Sequence, residues 1–220
     1  MIFIQKFKQH IKKHPRIATA FEEFKTSAIQ WYCENQSAEK SAEYKNAISN
    51  FMHGAFRCTE KTEFITSWGR LRLRTANIDD YDFIDAAERD DDNKSWIGNW
   101  SLGGRIEKFG DNNFFQTIIE TAENRRVGFI DFRDMMNDTQ IELKRFAITE
   151  KRNGFGKETM YLSQKFAFEI LGRNKLYLGT KDENIRAQNL YHSTGFVLSS
   201  PESIALFHIC KTFLYETGVT

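Results

Sequence analysis

Residues 141–196 constrain this chain more than any other stretch. At their centre stands Lys151-Arg152-Asn153-Gly154-Phe155-Gly156-Lys157. Before it, residues 141–148 read as a buried strand. After it, an apolar-striped segment runs to Leu171 and stops at Gly172. Strand, glycine-rich turn and helix, in that order, build an anion site. A helix start leaves backbone N–H groups without intrahelical partners, and their partial positive charge favours phosphate. Gly154 and Gly156 allow close approach of the backbone and positive φ. Lys151, Arg152 and Lys157 place three cations around the turn.

This stretch resembles motifs of the GNAT superfamily of acetyl-CoA-dependent N-acetyltransferases. The family's loop pattern is Gln/Arg-x-x-Gly-x-Gly/Ala, and residues 151–156 follow it. Lys151 departs from Gln/Arg but keeps a donor and the charge. A second motif lies downstream in Asn184-Ile185-Arg186-Ala187-Gln188-Asn189-Leu190-Tyr191, closing with Gly195-Phe196. The resemblance covers about residues 68–196. It implies an α+β fold, with a mixed, mostly antiparallel central sheet flanked by helices.

Composition narrows the remaining classes. The chain has 220 residues, 40% hydrophobic and 28% charged, enough to bury a sizeable core in one domain plus an addition. Twenty Phe against two Pro point to regular elements rather than disorder. A formal net charge of +1 gives no reason to expect nucleic acid. No apolar run approaches a membrane span, and no signal-peptide core opens the chain. Cys33, Cys58 and Cys210 form no CxxC pair and read as reduced, buried thiols of a cytoplasmic protein. The five histidines show no metal-ligand spacing, so no metal is expected.

Residues 1–62 read as a helical extension, and residues 63–220 as the acetyltransferase domain. Ile17, Phe21, Phe24, Ala28 and Trp31 line one helix face. Tyr44, Ile48, Phe51, Met52 and Ala55 line another, and residues 2–13 suggest a short helix before both. These stripes are expected to pack on the acetyltransferase domain, with a homodimer or partner surface as the alternative. Strands are expected over 68–75, 113–120, 126–132, 140–148 and 176–179. Helices are expected from Asn77 or Asp79 to Ala87 and, capped by Asp182, through Tyr191. Residues 204–214 suit either a last strand or a helix.

Acyl transfer needs a neutral amine, a polarised thioester, a stabilised oxyanion and a proton for the thiolate. The resemblance implies Glu142 as carboxylate base on its strand and Tyr191 as acid near the thioester sulfur. The alternatives are a Glu142 paired with Lys144 or Arg145, or one that only hydrogen-bonds the acceptor, and a Tyr191 that only packs. The resemblance further implies that Phe146, Ala147 and Ile148 bind the pantetheine arm in strand fashion. The N–H groups of Asn153, Gly154, Phe155, Gly156 and Lys157 are expected to hold pyrophosphate, with Lys151 and Arg152 beside them. Asn184 is expected to bind the cofactor arm or fix the splayed strands. The expected function is N-acetyl transfer from acetyl-CoA to a primary amine. The alternative is a non-catalytic CoA-binding module whose helical extension binds a partner. The acidic run of residues 79–92, followed by Trp96 and Trp100, suggests a small or peptide-borne cationic acceptor.

Overall fold

Apolar spacing in the first sixty residues becomes three helices. In the computed structural model, which describes residues 2–35, 37–201 and 204–210, these are α1 (Ile2–Lys13), α2 (Pro15–Glu34) and α3 (Ala38–Arg57). Pro15 occupies the first turn of α2, where its missing N–H costs nothing. Ser37 caps α3 by accepting from the Lys40 N–H at 3.1 Å. A fourth helix, α5 (Leu102–Gly110), was not expected from the sequence. Gly103, Gly104 and Gly110 weaken its helical propensity, yet they permit close packing. A Cβ on Gly54 of α3 would lie 1.7 Å from the Ile106 carbonyl oxygen, and one on Gly110 would lie 1.8 Å from that of Asn50. The two helices therefore cross backbone to backbone.

The chain divides into two compact units. The helical unit takes Met1–Lys61 together with Asn77–Tyr81 and Trp100–Asn112. Its stripes meet each other: Phe7, Ile17, Ala20, Phe51, Ala55, Cys58 and Ile106 form one core. The far end of the α2 stripe stays outside, with Trp31 37% exposed. Of the cysteines only Cys58 is buried, its thiol pushed up to about 12 by burial; Cys33 and Cys210 are exposed, against expectation.

The other unit comprises Thr62–Ala76, Asp82–Asn99 and the described part of Asn113–Thr220. Its strands are β1 (Phe64–Trp68), β2 (Leu71–Thr75), β3 (Phe114–Thr121), β4 (Arg126–Arg133), β5 (Gln140–Ile148), β6 (Lys175–Lys181), β7 (Val197–Pro201) and β8 (Ile204–Cys210). They form one sheet in the order β1-β2-β3-β4-β5-β6-β8-β7. Only the β5–β6 pairing is parallel among these neighbours. The single strand expected over 68–75 is instead the turn and second arm of a hairpin: Trp68 pairs with Leu71 across Gly69, at φ 56°. The tail resolves as strand, with residues 211–214 of that expectation outside the described residues.

Helix α4 (Tyr81–Arg89) follows a capping box on Asn77 and Asp80. Helix α6 (Phe155–Lys165) continues as a π-helical turn over Phe166–Ile170. That wider turn shifts the helical phase, so Ile170 is 50% exposed although Met160 and Ala167 of the same apolar-striped segment are buried. Helix α7 (Ile185–His192) is capped by Asn184, not by Asp182.

Candidate functional site

Strands β5 and β6 pair only through Gln140–Lys175, Ile141–Leu176 and Glu142–Tyr177, then diverge. Strand β5 continues to Ile148 on β4, and β6 continues to Lys181 on β8. The β6-facing edge of residues 143–148 thus has no strand partner among the described residues. A cavity of about 380 Å³ occupies this split. Leu143, Phe146, Ala147 and Ile148 line one side, and Gly179 and Thr180 the other. Edge carbonyls and N–H groups of residues 146–148 can pair there with an extended amide-bearing ligand.

The glycine turn closes one end of the cavity. Arg152 and Gly154 take φ of 64° and 80°, so the chain turns through two left-handed residues before α6 begins. Gly156 lies against α7, where a Cβ would sit 3.4 Å from a Leu190 methyl carbon. Glu150, Lys151, Arg152, Gly154, Gly156 and Lys157 line the cavity. Asn153 and Phe155 are not among the lining residues; Phe155 enters the core beneath, at 4% exposure. The Lys157 N–H already donates to the Gly154 carbonyl at 3.0 Å. The helix-start donors left for an anion are therefore those just before it. Lys151 donates from Nζ to Asn93 Oδ1, and burial, reinforced by Arg186, lowers its pKa.

Helix α7 supplies the opposite wall. Asn184 caps it by accepting from the Ala187 N–H at 3.2 Å and also lines the cavity, leaving its amide N–H₂ as the ligand donor. Tyr191 reaches the cavity although it is only 4% exposed. Phe146, Phe196 and Phe207 surround its ring at centroid distances of 6.4, 6.1 and 5.3 Å. Burial raises its pKa well above the ordinary phenol value, so it holds its proton at neutral pH.

A β-bulge in β5 re-aims the next residue. Leu143 pairs with Phe132 and Arg145 with Asp131, leaving Lys144 unmatched. Arg145 thereby shares a face with Asp131, at 3.6 Å, and reaches Glu88 of α4 at 2.7 Å. It also donates to the Gly98 carbonyl, which holds the 96–99 segment beside the cavity. Trp96 lines the cavity at 40% exposure. Trp100 does not: it belongs to the helical unit, with the Arg105 guanidinium over its ring. Glu142 lies at the base of the split, outside the lining. Its carboxylate contacts Arg133 and, at 3.5 Å, Lys144. Sequence reading passed over Arg186, Lys144 and Arg145 as cavity residues. Arg186 sits inside the second motif and was legible there, whereas the bulge that turns Arg145 leaves no local signal.

Six cations line the cavity (Lys144, Arg145, Lys151, Arg152, Lys157 and Arg186) against the carboxylates Asp92 and Glu150. Glu150 is further engaged by Arg125. That balance suits a polyanion at the turn. Among the described residues, no helix is long and apolar enough to cross a membrane.

A family model for the acetyltransferase (GNAT) domain matches residues 70–197. No curated protein sequence matches the chain. Among solved structures, a spermidine N-acetyltransferase from Vibrio cholerae, in complex with CoA and spermine, is similar with a TM-score of 0.58 and 20% identity, over 66% of this chain and 98% of its own. A dodecameric structure of spermidine N-acetyltransferase from the same organism gives a TM-score of 0.55 and 19% identity, over 69% and 99%. An acetyltransferase of the GNAT family from Bacillus anthracis gives 0.56 and 16%, over 68% and 99%. At these identities the likeness is one of fold.

Proposed function

The chain belongs to the GNAT acetyltransferase family, and from that premise we propose that it transfers acetyl from acetyl-CoA to a primary amine by direct attack. One observation carries the reading: the open edge of β5, the start of α6 and the Tyr191 side chain all border a single cavity. The cavity's cations and the helix-start N–H groups suit pyrophosphate. The unpaired edge of residues 146–148 suits the amides of the pantetheine arm, and one of its N–H groups can polarise the thioester oxygen. Asn184 offers its amide N–H₂ to the same arm.

In the transfer, the amine nitrogen bonds to the carbonyl carbon, the carbon–sulfur bond breaks, and Tyr191 gives its proton to the departing sulfur. The amine releases its own proton to water or to the emptied phenolate. Glu142 is read here as structural rather than as the base, because Arg133 and Lys144 hold it outside the cavity lining. The amine then arrives neutral without a dedicated carboxylate, so kcat/KM climbs with pH toward the amine pKa of about 10. Glu142→Gln should give a profile parallel to the parent's. A selective loss at low pH restores Glu142 as base.

The acceptor is proposed to be a cationic amine of polyamine type. Trp96 at the cavity wall and the spermine held by a similar structure support this. The acidic run supports it less, since much of it serves local structure: Asp80 completes the capping box of the turn ahead of α4, Asp85 pairs with Arg89 and Asp91 with Lys94. The deciding assay is thiol release from acetyl-CoA across polyamines, peptides, amino sugars and neutral amines. Calorimetric CoA binding with no thiol release for any amine makes the chain a binding module instead.

A further inference from the structure

The β1–β2 hairpin places Arg70 at its tip, directly after Gly69. From there Arg70 grips the glycine turn. Its Nη2 donates to the Asn153 carbonyl at 2.6 Å. Its backbone N–H and Nε donate to the two Glu158 carboxylate oxygens, each at 2.8 Å. Its guanidinium lies 4.6 Å from the Phe155 ring centroid. A Cβ on Gly154 would come within 3.4 Å of Arg70 Nη2. One side chain thus touches the carbonyl before Gly154, the ring after it and a carboxylate in the first turn of α6.

The geometry has a chemical meaning. In a planar trans peptide the C=O of one residue and the N–H of the next point in opposite directions. Holding the Asn153 carbonyl toward the hairpin turns the Gly154 N–H away from it, and Gly154 lines the cavity. The neighbouring left-handed conformations of Arg152 and Gly154 persist only where their surroundings fix them. We propose that Arg70 is a positioning residue of the phosphate-binding turn: it aims the Gly154 N–H into the cavity and is itself aimed by Glu158. This rests on the reading of the cavity as an acetyl-CoA site.

Charge alone makes the opposite prediction at Glu158, which allows a clean test. Calorimetric titration of the full chain with CoA compares the parent with Arg70→Ala, Arg70→Lys and Glu158→Gln, each checked for an unchanged melting point. Positioning requires Arg70→Ala to bind roughly tenfold more weakly, the scale of one lost charge-assisted hydrogen bond. Arg70→Lys should recover little, because one ammonium cannot span Asn153 and both Glu158 oxygens. Glu158→Gln should bind about threefold more weakly, although it removes a negative charge beside an anion site. In turnover assays the loss should fall on KM for acetyl-CoA rather than on kcat. Parent-like binding by Arg70→Lys, or tighter or unchanged binding by Glu158→Gln, overturns the proposal while leaving the acetyl-CoA site standing. A parent chain that fails to bind CoA overturns both.

Discussion

The helical unit and the sheet unit differ more in how their backbones run than in what they bury. The apolar core of the helical unit is mostly rings and methyls, with Phe7 4.9 Å from Phe21, Phe21 5.3 Å from Phe51 and Phe24 5.0 Å from Phe51. The unit also buries Asp80, Arg105 and Glu107. Its tightest tolerance is the glycine crossing of α3 and α5. The sheet unit has an apolar core of its own, yet it also buries Asp131, Glu88 and Arg145, bends through left-handed residues and opens its sheet in the middle. Hydrophobic patterning accounts for α1, α2 and α3 of the first. In the second, several departures from patterning border the cavity, namely Arg145, the left-handed Arg152 and Gly154 and the split between β5 and β6, where desolvation strengthens polar contacts.

The largest effect should come from the helical unit's crossing. Gly54→Ala sets a Cβ against backbone, which cannot retreat, and should cost about 3 kcal/mol of stability. Thermal melts check it, and a parent-like melting point makes the crossing soft. Tyr191→Phe should lower kcat about 100-fold with CoA affinity unchanged. If chemistry limits the rate and kcat stays, Tyr191 is only a core ring. Arg186→Ala should weaken CoA binding roughly tenfold and flatten its salt dependence, because the cavity loses one cation. Replacing Asp90, Asp91 and Asp92 by Asn should change kcat/KM for cationic amines by less than about twofold, given that exposed charges contribute little. A larger drop that vanishes in salt returns the acidic run to the acceptor site.

The smallest effect is a pH dependence of the helical unit. His10 donates from Nε2 to the Ala55 carbonyl oxygen at 2.8 Å, and its pKa is lowered, chiefly by burial. A folded pKa below the unfolded value of about 6.5 means that the folded state binds fewer protons. The contribution is full above the unfolded pKa and is lost as pH falls toward the folded one. His10→Gln should therefore flatten the fall in melting point below neutrality. Equal slopes in parent and variant remove His10 from the account.

Much of this was legible in the sequence because it rests on local chemistry. The order strand, glycine turn, helix and capped second helix follows from residues 140–196 and reappears element by element. Helix α5 escaped because three glycines argue against a helix locally, and their use becomes visible only when α3 lies against them. The hairpin at Gly69 reads as one strand in the sequence because Leu71 and Leu73 alternate with Arg70, Arg72 and Arg74, an alternation that already starts inside the turn. At the candidate site, residues 146–148, the glycine turn and Tyr191 face one cavity. The setting of Glu142 depends on Arg133 of β4, a cross-strand neighbour that spacing within one segment cannot reveal. Trp96 and Trp100 stand four apart in sequence, but no helix joins them, and they belong to different units.

A sheet that opens in its interior has two edges where a continuous one has none. Past Glu142 and Tyr177, β5 and β6 offer their main chains to any extended segment that arrives, including the strand of another copy. On the proposed function, the pantetheine arm occupies that opening and shields it. Starved of acetyl-CoA, the chain would lose more than its substrate: it would expose a template for aggregation.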